Sequence, residues 1–393
     1  MNGKTAIIVG AGIGGLTAAQ ALRRTGWNVV VYEQASAVAP VGAGVGIAPN
    51  AVKALDHLGL GEALRDRAQR QLSLEIRLRR GARVAHIPAA SFESRYGTPF
   101  YALHRAELHR LLMTGLDPAA LHTGHRATGV ELHADAATIT FQAPHGAVSA
   151  TADLVVAADG IGSRLRTALL PDYPGATYAG YTVWRGIVPA ERSAALGVTP
   201  VLSETWGRGA RLGMAMINDG QTYWFACESV PEHATPEHDL GLLAARFADW
   251  HDPIPALMTA TPETTLLRHD VYYLRDRLPG FVHGRVALLG DAAHAVTPDI
   301  GQGACLAVED AVTLAAAIED SGIDAGLRTY DALRRPRTER MARTSGRLGH
   351  IMQTRNPAAA LIRDAVASAL PDSLLIGAAG AAFTWTPPLG AAT

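Results

Sequence analysis

Residues 6–15 read AIIVGAGIGG, and residues 286–303 read VALLGDAAHAVTPDIGQG. Each stretch is a short apolar strand that runs directly into a glycine-rich loop, the pattern expected where backbone must approach a phosphate closely. One such loop suits any dinucleotide. Two of them, separated by most of the chain, favour a long ligand that is held at both ends, and FAD is the natural candidate.

The first stretch is predicted to form a strand–helix–strand unit that extends to Glu33. In such a unit Gly10 permits the tight turn, Gly12 lets the backbone approach a pyrophosphate, and Gly15 lets helix and strand pack closely. The pyrophosphate would meet the positive end of the helix dipole. Glu33, at the tip of the second strand, is placed to accept hydrogen bonds from a ribose 2′-hydroxyl.

Two other strands are predicted to end near the same ligand. Residues 154–157 run into Asp159, and residues 286–289 run into Asp291. Carboxyl ends of parallel strands meet at one edge of a sheet, so these acids and the glycine turn are expected to converge on one crevice. Taken alone, either aspartate would more often be a turn or helix-cap residue.

The middle of the chain has a different pattern, which predicts a second domain. Short runs of β-type residues over 182–188, 211–217 and 222–228 suit an antiparallel sheet, and Asn218-Asp219-Gly220 suits a hairpin turn. We therefore expect an α/β fold in which a Rossmann-like dinucleotide-binding domain carries an inserted antiparallel-sheet domain, followed by C-terminal helices. The predicted cofactor-binding domain is residues 1–71, 99–172 and 282–345, the predicted substrate-binding domain is residues 72–98 and 173–281, and the predicted C-terminal helical segment is residues 346–393.

Composition excludes several kinds of partner. The 393 residues carry a formal net charge of -1, so no basic excess suggests nucleic acid or an anionic membrane. The histidines show no metal-ligand spacing, and no metal site is predicted. Cys227 and Cys305 lack the CxxC spacing and are predicted to be buried and reduced, which favours a cytoplasmic protein. Charged residues interrupt the Ala-rich stretch after Asn356, which is not predicted to span a membrane.

Several stretches in a fixed order carry a resemblance to a known family. The chain resembles single-component FAD-dependent aromatic hydroxylases of the para-hydroxybenzoate hydroxylase fold, and within them the salicylate, 6-hydroxynicotinate and urate hydroxylase branch. The resemblance implies an FAD-binding domain of the glutathione reductase type, FAD as cofactor, and NADPH or NADH as co-substrate. The matching stretches are residues 10–15, 42–58, 101–112, 153–166, 181–188 and 284–310.

The resemblance also implies which residues bind FAD. Asp291 would accept hydrogen bonds from the ribityl hydroxyls, and the backbone of residues 301–305 would face the pyrimidine end of the flavin ring, where helix-start N–H groups stabilise negative charge. Arg105 matches an arginine that contacts the nucleotide, and Ala127 matches a backbone contact to the adenine. The predicted cofactor-binding residues are Gly10, Gly12, Ile13, Gly14, Gly15, Glu33, Gln34, Val45, Arg105, Ala127, Asp159, Asp291, Pro298, Gly301, Gln302, Gly303, Ala304 and Cys305.

Three other matched stretches each imply one specific role. Residues 42–46 read GAGVG, but no strand precedes them, so they are predicted to be a flexible loop that leads into a helix and places Val45 against the flavin ring. Asp159 is linked in the family to both the flavin and the nicotinamide cofactor. Trp184-Arg185-Gly186 matches a family tripeptide that we expect to pack between the two domains.

The substrate pocket is predicted between the flavin ring and the inner face of the antiparallel sheet. By resemblance to the urate-type enzymes, Arg211, Tyr223 and Phe225 occupy substrate-contact positions, with Arg211 near an anionic group of the substrate. The alternative is an ion-paired surface arginine above ordinary core aromatics. Strand alternation puts Met214 and Met216 on the face opposite Arg211. The predicted substrate-binding residues are Arg211, Met214, Met216, Tyr223 and Phe225.

The activity that the resemblance implies is hydroxylation of an electron-rich aromatic or heteroaromatic ring. NAD(P)H would reduce the flavin, the reduced flavin would capture molecular oxygen as a C4a-hydroperoxide, and the ring would attack the terminal oxygen. No side chain is predicted as an obligatory acid or base, because the protein mainly supplies a dry cavity. The protein is expected to be a monomer or homodimer. Alternatives are a flavin-dependent epoxidase or halogenase on the same fold, and a non-catalytic flavin-binding protein.

Overall fold

A six-stranded, largely parallel sheet brings together the two stretches that open the sequence analysis. In the computed structural model, which describes residues 3–37, 43–234 and 239–388, the Leu154–Ala157 strand lies between Thr5–Val9 and Val286–Leu288. All three strands run parallel, so their carboxyl ends lie at the same edge of the sheet. In spatial order the strands are Val282–His283, Val286–Leu288, Leu154–Ala157, Thr5–Val9, Asn28–Tyr32 and Leu121–His122.

Two helices cover this sheet and form its core. The Ile13–Arg24 helix follows the glycine turn and buries Leu16 and Leu22 completely. It packs against the Gly303–Ser321 helix, which is buried along almost its whole length. Because both helices begin at the carboxyl edge of the sheet, their N-terminal ends lie beside the strand ends.

A seven-stranded sheet forms the second layer of the molecule. The predicted hairpin is confirmed: Asn218–Gly220 forms a turn between two antiparallel strands, and Asp219 adopts the left-handed conformation with φ of 59°. The sheet is not wholly antiparallel, since its Ser73–Leu78 strand pairs in parallel with Val201–Trp206. In spatial order the strands are Leu267–Tyr273, Thr177–Val188, Thr222–Glu228, Ala210–Met216, Val201–Trp206, Ser73–Leu78 and Arg83–Pro88.

The two faces of this sheet have different partners. The outer face carries Trp184 and Trp224, which pack against the helices Leu240–Phe247 and Ile254–Ala260. The prediction that the Trp184 tripeptide packs between the domains is therefore wrong for Trp184, which lies in a core that belongs to the sheet and its own helices. The opposite face, here called the inner face, carries Arg185, Arg211, Gly213, Tyr223 and Phe225, which the register places side by side.

The predicted flexible loop over residues 42–46 is partly wrong. Gly44–Ile47 is a strand that pairs antiparallel with Tyr101–His104, and the Pro49–His57 helix follows it. The sequence lacks a strand signal there because three of the five residues in GAGVG are glycines. Gly42 lies outside the described residues.

The remaining elements complete the two layers and the C-terminal segment. The strands Ser73–Leu78 and Arg83–Pro88 join the seven-stranded sheet as predicted, and the α/β fold class is confirmed; the domain boundaries stay a prediction. Among the residues that the structure describes, no helix has the length and apolar character needed to cross a bilayer.

Two smaller sheets have three strands each. One consists of Gly146–Ala152, Ala137–Ala143 and Arg126–Leu132, and the other of Gly44–Ile47, Tyr101–His104 and Gln69–Arg70. The other helices are Gly61–Arg67, Ala89–Tyr96, Arg105–Met113, Arg164–Leu169, Ala190–Ala195, Asp291–His294, Ile323–Met352, Pro357–Ala369 and Asp372–Phe383, with 3-10 turns at Pro118–Ala120, Glu263–Thr265 and Pro298–Ile300.

Candidate functional site

The N-terminal glycines Gly10, Gly12 and Gly15 have different surroundings. Gly10 has a φ of 102°, and a Cβ at this position would overlap the Ala158 carbonyl oxygen. A Cβ on Gly15 would overlap the Gly10 carbonyl oxygen, so helix and strand approach as closely as predicted. Gly12 differs from both, because a Cβ there would meet no atom of the described residues within 4 Å. The open space beside Gly12 leaves its backbone accessible to a ligand.

The two glycine-rich loops lie next to each other at the carboxyl edge of the parallel sheet. A Cβ on Gly14 would come within 2.8 Å of the Leu289 side chain, which directly precedes the second loop. Backbone hydrogen bonds from Ala158 N to Val9 O and from Leu289 N to Ala157 O, each 2.9 Å, continue the sheet to the last residues before the loops. The predicted convergence of the strand ends is therefore confirmed.

Glu33 lies at the far end of the first loop. Its Oε2 accepts a hydrogen bond of 2.7 Å from Ala11 N, and its Oε1 accepts one of 2.8 Å from Ala35 N. These bonds fix the carboxylate beside the glycine turn while leaving further lone pairs for a ribose hydroxyl. Gln34 is exposed and Ala127 is buried on the strand that follows His125, whose N–H donates to the Glu33 carbonyl at 2.8 Å.

Asp159 has one carboxylate oxygen committed and one without a partner. Its Oδ2 accepts hydrogen bonds from Arg164 N and Leu165 N at 2.8 and 3.2 Å, so it caps the short helix that follows. Its Oδ1 is buried and has no hydrogen-bond partner among the described residues. The structure thus shows the capping role, and the orphaned oxygen leaves room for the predicted contact with a ligand.

Arg166 links the Asp159 loop to the Asp291 segment, a role that sequence reasoning missed. It is buried, and its guanidinium donates to the Ala292 carbonyl at 2.9 Å and to the Ile161 carbonyl at 2.5 Å. The two predicted acidic sites are therefore held in a fixed relation by one cation.

Asp291 has an unusual environment for an exposed residue. Its side chain is accessible to solvent, yet the protein surrounds it so closely that burial raises the pKa of its carboxyl. The two observations together indicate that Asp291 lines a concave surface. A carboxylate in that position would be stabilised by hydroxyl donors, as the predicted contact with the ribityl chain requires.

A buried ionic network supports the second loop from behind. The Asp310 carboxylate accepts hydrogen bonds from Gly290 N at 3.0 Å, His294 Nε2 at 2.5 Å and Arg334 Nε at 2.6 Å. Burial alone would raise the pKa of Asp310, but the charges and hydrogen bonds of His294 and Arg334 outweigh it and hold the pKa well below its usual range. Asp310 therefore fixes the backbone of the loop that carries Asp291.

The same network reaches the start of the Gly303–Ser321 helix. Asn50 Nδ2 donates to Glu309 Oε1 at 2.6 Å and to Gln302 Oε1 at 2.9 Å, and Arg334 Nη1 donates to Glu309 Oε2 at 2.7 Å. The Gln302 and Cys305 side chains are both buried, and burial raises the pKa of the Cys305 thiol to about 12. Neither side chain is then available to a ligand, and within residues 301–305 the accessible residues are Gly301, Gly303 and Ala304.

The helix start itself suits an anionic group. No side chain among the described residues caps the first turn of this helix, and the turn contains no acidic residue. Its free N–H groups and the helix dipole favour negative charge. Ile13 is buried, while Pro298, Gly301, Gly303 and Ala304 are exposed or half-buried around this site.

The inner face of the large sheet meets the cofactor side of the molecule at Tyr223. A Cβ on Gly44 would overlap the Tyr223 side chain, so the tyrosine lies across the strand that carries Val45. Arg105 N donates to the Ala43 carbonyl at 3.0 Å, and its side chain is exposed beside this strand. The structure thus brings Val45, Arg105 and Tyr223 together.

Arg211 is neither a surface residue nor a free cation. Its side chain is 1% exposed; Nη1 donates to Glu204 Oε1 at 3.1 Å and Nη2 pairs with Asp299 Oδ1. Tyr181 also donates to Asp299 Oδ1, at 2.9 Å. Two formal negative charges therefore surround the one positive charge, so Arg211 has little left to attract an anionic substrate.

Met214 and Met216 do not lie with the other predicted substrate residues. The register puts them on the outer face, and Met214 packs against the core around Trp224. Their inclusion as substrate contacts is wrong, because strand alternation turns them away from Tyr223 and Phe225. Phe225 stays on the inner face and lies across Gly213, where a Cβ would overlap its ring.

Arg185 and His269 form a polar pair on the inner face that sequence reasoning missed. Arg185 lies opposite Phe225 in the register, and His269 lies on the neighbouring strand. Arg185 Nη1 donates to His269 Nδ1 at 3.4 Å, which puts the imidazole proton on Nε2. Burial, followed by the charges of Arg185, Arg105 and Arg268, lowers the pKa of His269, so the ring is neutral at physiological pH.

The described residues fit a bound FAD in three respects. The open space at Gly12 suits a phosphate. The unpartnered Asp159 Oδ1 suits a polar group of the cofactor. The uncapped helix start at Gly303 suits the electron-rich edge of a ring. All three lie around the carboxyl edge of one sheet.

Comparison with known proteins agrees with this fit. The family described as "FAD binding domain" matches residues 4–345. An aurachin C monooxygenase/isomerase of Stigmatella aurantiaca is 37% identical over 367 residues, covering 92% of this chain and 93% of the relative. An FAD-dependent urate hydroxylase of Klebsiella pneumoniae is 36% identical over 337 residues, covering 84% and 85%. The crystal structure of Klebsiella pneumoniae HpxO complexed with FAD and uric acid superposes with a TM-score of 0.87 at 32% identity, covering 97% and 96%.

Proposed function

The chain belongs to the FAD binding domain family, and from this premise we propose that it is an FAD-dependent monooxygenase that hydroxylates an electron-rich aromatic or heteroaromatic ring. NADPH or NADH supplies the reducing equivalents, and molecular oxygen is the co-substrate. The observation that carries the proposal is the position of Tyr223, which joins the aromatic inner face to the strand beside the dinucleotide cleft. A ring seated against Tyr223 and Phe225 would face the flavin end of that cleft.

FAD, when bound, supplies the redox and oxygen-activating chemistry. The chain supplies position and a dry environment. Gly12 and the start of the Ile13–Arg24 helix would bind the pyrophosphate, and Asp291 would accept hydrogen bonds from hydroxyl groups. Tyr223 and Phe225 form an apolar wall that keeps water from the reacting ring. The free, buried thiols Cys227 and Cys305 suit a reducing compartment, and we place the enzyme in the cytoplasm.

The electrostatics of the inner face indicate which arginine recognises the substrate. Arg211 is neutralised by Glu204 and Asp299, whereas Arg185 contacts no carboxylate within 4 Å in the described part of the chain. We therefore assign the recognition of a phenolate or carboxylate group to Arg185, with His269 Nε2–H as a second donor. A phenolate oxygen also donates electron density to the ring that carries it, which favours attack of the ring on electrophilic oxygen.

Replacing Arg185 by glutamine should separate substrate binding from cofactor binding. We expect the KM for an anionic aromatic substrate to rise roughly 10- to 100-fold, because the substrate loses one hydrogen bond to a charged group, which contributes about 1.5–3 kcal/mol. FAD content should be unchanged. Steady-state kinetics with Arg328→Gln, an exposed arginine on the Ile323–Met352 helix, provide the matched control. An unchanged KM in a variant that keeps its FAD, or a loss of FAD, would contradict the assignment.

The proposed reaction is tested with purified holoenzyme, NADPH or NADH, and a panel of phenols and hydroxylated heteroaromatics under ¹⁸O₂. The expected result is substrate-dependent NAD(P)H oxidation and one ¹⁸O atom in the product by mass spectrometry. Hydrogen peroxide without labelled product for every ring would count against hydroxylation. Chloride-dependent halogenation or epoxide formation would favour the related activities, and a flavin that NAD(P)H does not bleach would favour a non-catalytic flavin-binding protein.

A further inference from the structure

The Pro357–Ala369 helix presents an apolar face to solvent. It buries Ala360, Arg363 and Ala367 against the rest of the molecule. Leu361 and Ile362, on the opposite side, are 71% and 64% exposed. An ordinary surface helix exposes polar side chains and buries large apolar ones, whereas this helix exposes leucine and isoleucine and buries an arginine. The helix follows the part of the chain that the family match covers.

The helix is fixed in place rather than loosely attached. The Arg363 guanidinium donates to the Met352 carbonyl at 2.8 Å and to the Gly207 carbonyl at 2.9 Å, and it lies 5.6 Å from the centre of the Trp206 ring. A helix anchored by a buried arginine cannot rotate to hide Leu361 and Ile362 without breaking these bonds. The apolar face is therefore a permanent feature of the single chain.

The exposed apolar surface extends beyond this one helix. Six of the eleven large hydrophobic residues found exposed in the described chain lie between residues 351 and 374. Apolar residues scattered singly are normal on a protein surface, so a concentration of this kind in one short stretch of the chain indicates an interaction surface. We name this surface the C-terminal patch. It consists of Ile351, Leu361, Ile362, Val366, Leu370 and Leu374.

The charges on the two sides of the Pro357–Ala369 helix are complementary to each other. Arg355 precedes the helix and Asp372 follows it; both are exposed, and neither forms an ion pair within the described residues. They are equally far in sequence from the midpoint between Arg363 and Asp364. Two copies of the helix packed antiparallel would place Arg355 of each copy near Asp372 of the other.

We propose that a second copy of this chain covers the C-terminal patch, and that the two copies are related by a two-fold axis at the midpoint of the Pro357–Ala369 helix. In this arrangement Leu361 faces Val366 of the other copy, and Ile362 faces Ala365. The interface is isologous, so each contact occurs twice and the assembly closes as a dimer. A stable interface buries about 800 Å² on each partner, and Ile351 and Leu374 extend the patch beyond the helix toward that size.

Sedimentation velocity of the FAD-bound full chain over a wide range of concentration tests the dimer. We expect the wild type to be a dimer and Ile362→Glu to be a monomer, with a dissociation constant raised at least roughly a hundredfold, because each carboxylate would be buried without a partner. Val148→Glu is the matched control. Val148 is 43% exposed on the Gly146–Ala152 strand, which is not part of the C-terminal patch, so this variant should remain a dimer. Flavin absorbance and circular dichroism confirm that each variant is folded.

A charge-reversal experiment tests the antiparallel arrangement itself. Arg355→Asp and Asp372→Arg should each weaken the dimer, and an equimolar mixture of the two variants should form heterodimers in which every end charge is matched. A monomeric wild type, a dimer that survives Ile362→Glu, or a mixture that fails to form heterodimers would overturn the proposal. Binding of a monomeric wild type to phosphatidylglycerol vesicles would assign the C-terminal patch to a membrane surface instead.

Discussion

Replacing Gly12 by valine is expected to abolish FAD binding without unfolding the protein. Gly12 has φ -73° and ψ 179°, an extended conformation that valine adopts readily, and a Cβ there meets no atom within 4 Å in the part of the chain that the structure describes. The added side chain would instead occupy the space that a pyrophosphate needs. Losing two charge-assisted hydrogen bonds, at about 1.5–3 kcal/mol each, corresponds to an affinity at least roughly a hundredfold lower. Titration of the apoprotein with FAD, followed by flavin fluorescence, measures this effect.

The control for this variant is Gly346→Ala. Gly346 is also open, with no atom of the described residues within 4 Å of a Cβ, and it is exposed on the Ile323–Met352 helix. It should bind FAD like the wild type. The apoproteins of wild type and Gly12→Val should unfold at the same temperature. If Gly12→Val bound FAD normally, the pyrophosphate would have to lie elsewhere.

Replacing Asp310 by asparagine is expected to cause the largest loss of stability. The substitution leaves the buried Arg334 and His294 without their carboxylate, although Glu309 still contacts Arg334. Removing one partner of a buried ion pair costs about 3–5 kcal/mol. Gly290 N also loses its charged acceptor, so FAD affinity should fall as well. The free energy of unfolding, measured in denaturant, gives the first effect, and FAD titration gives the second.

The pH dependence of stability provides an independent check on Asp310. Its pKa in the folded state lies below the ordinary carboxyl value, so its contribution is fully present above about pH 4 and is lost as the pH falls further. The stability difference between wild type and Asp310→Asn should shrink over that acidic range. Asp324→Asn is the control, because Asp324 is 68% exposed in its pair with Arg285 and should cost under about 1 kcal/mol. Equal losses for the two variants would contradict the role of the network.

Local sequence predicts the loops well because their requirements are local. The conformation of Gly10 and the packing of Gly15 depend on neighbours within one strand–helix–strand unit, so the glycine spacing alone carries the information. The same holds for the hairpin at Asn218–Gly220. The GAGVG segment misled because its strand depends on pairing with Tyr101–His104, which lies far away in sequence.

The substrate side depends on pairings that a single sequence does not reveal. Strand alternation shows that Arg211 and Met214 face opposite ways, but only the sheet register shows that Glu204 lies beside Arg211 and that Arg185 lies opposite Phe225. Asp299 reaches Arg211 from a different layer of the molecule. The acidic pair Glu309 and Asp310 inside an apolar helix was the one local signal of the buried network.

The most direct test of the account is the stoichiometry of FAD binding in wild type, Gly12→Val and Asp291→Ala. If one FAD spans both loops, the wild type binds one FAD per chain, and each substitution lowers the affinity although the two residues lie in loops far apart in sequence. A wild-type protein that is colourless and takes up no FAD, or an Asp291→Ala variant that binds FAD as tightly as the wild type, would contradict it.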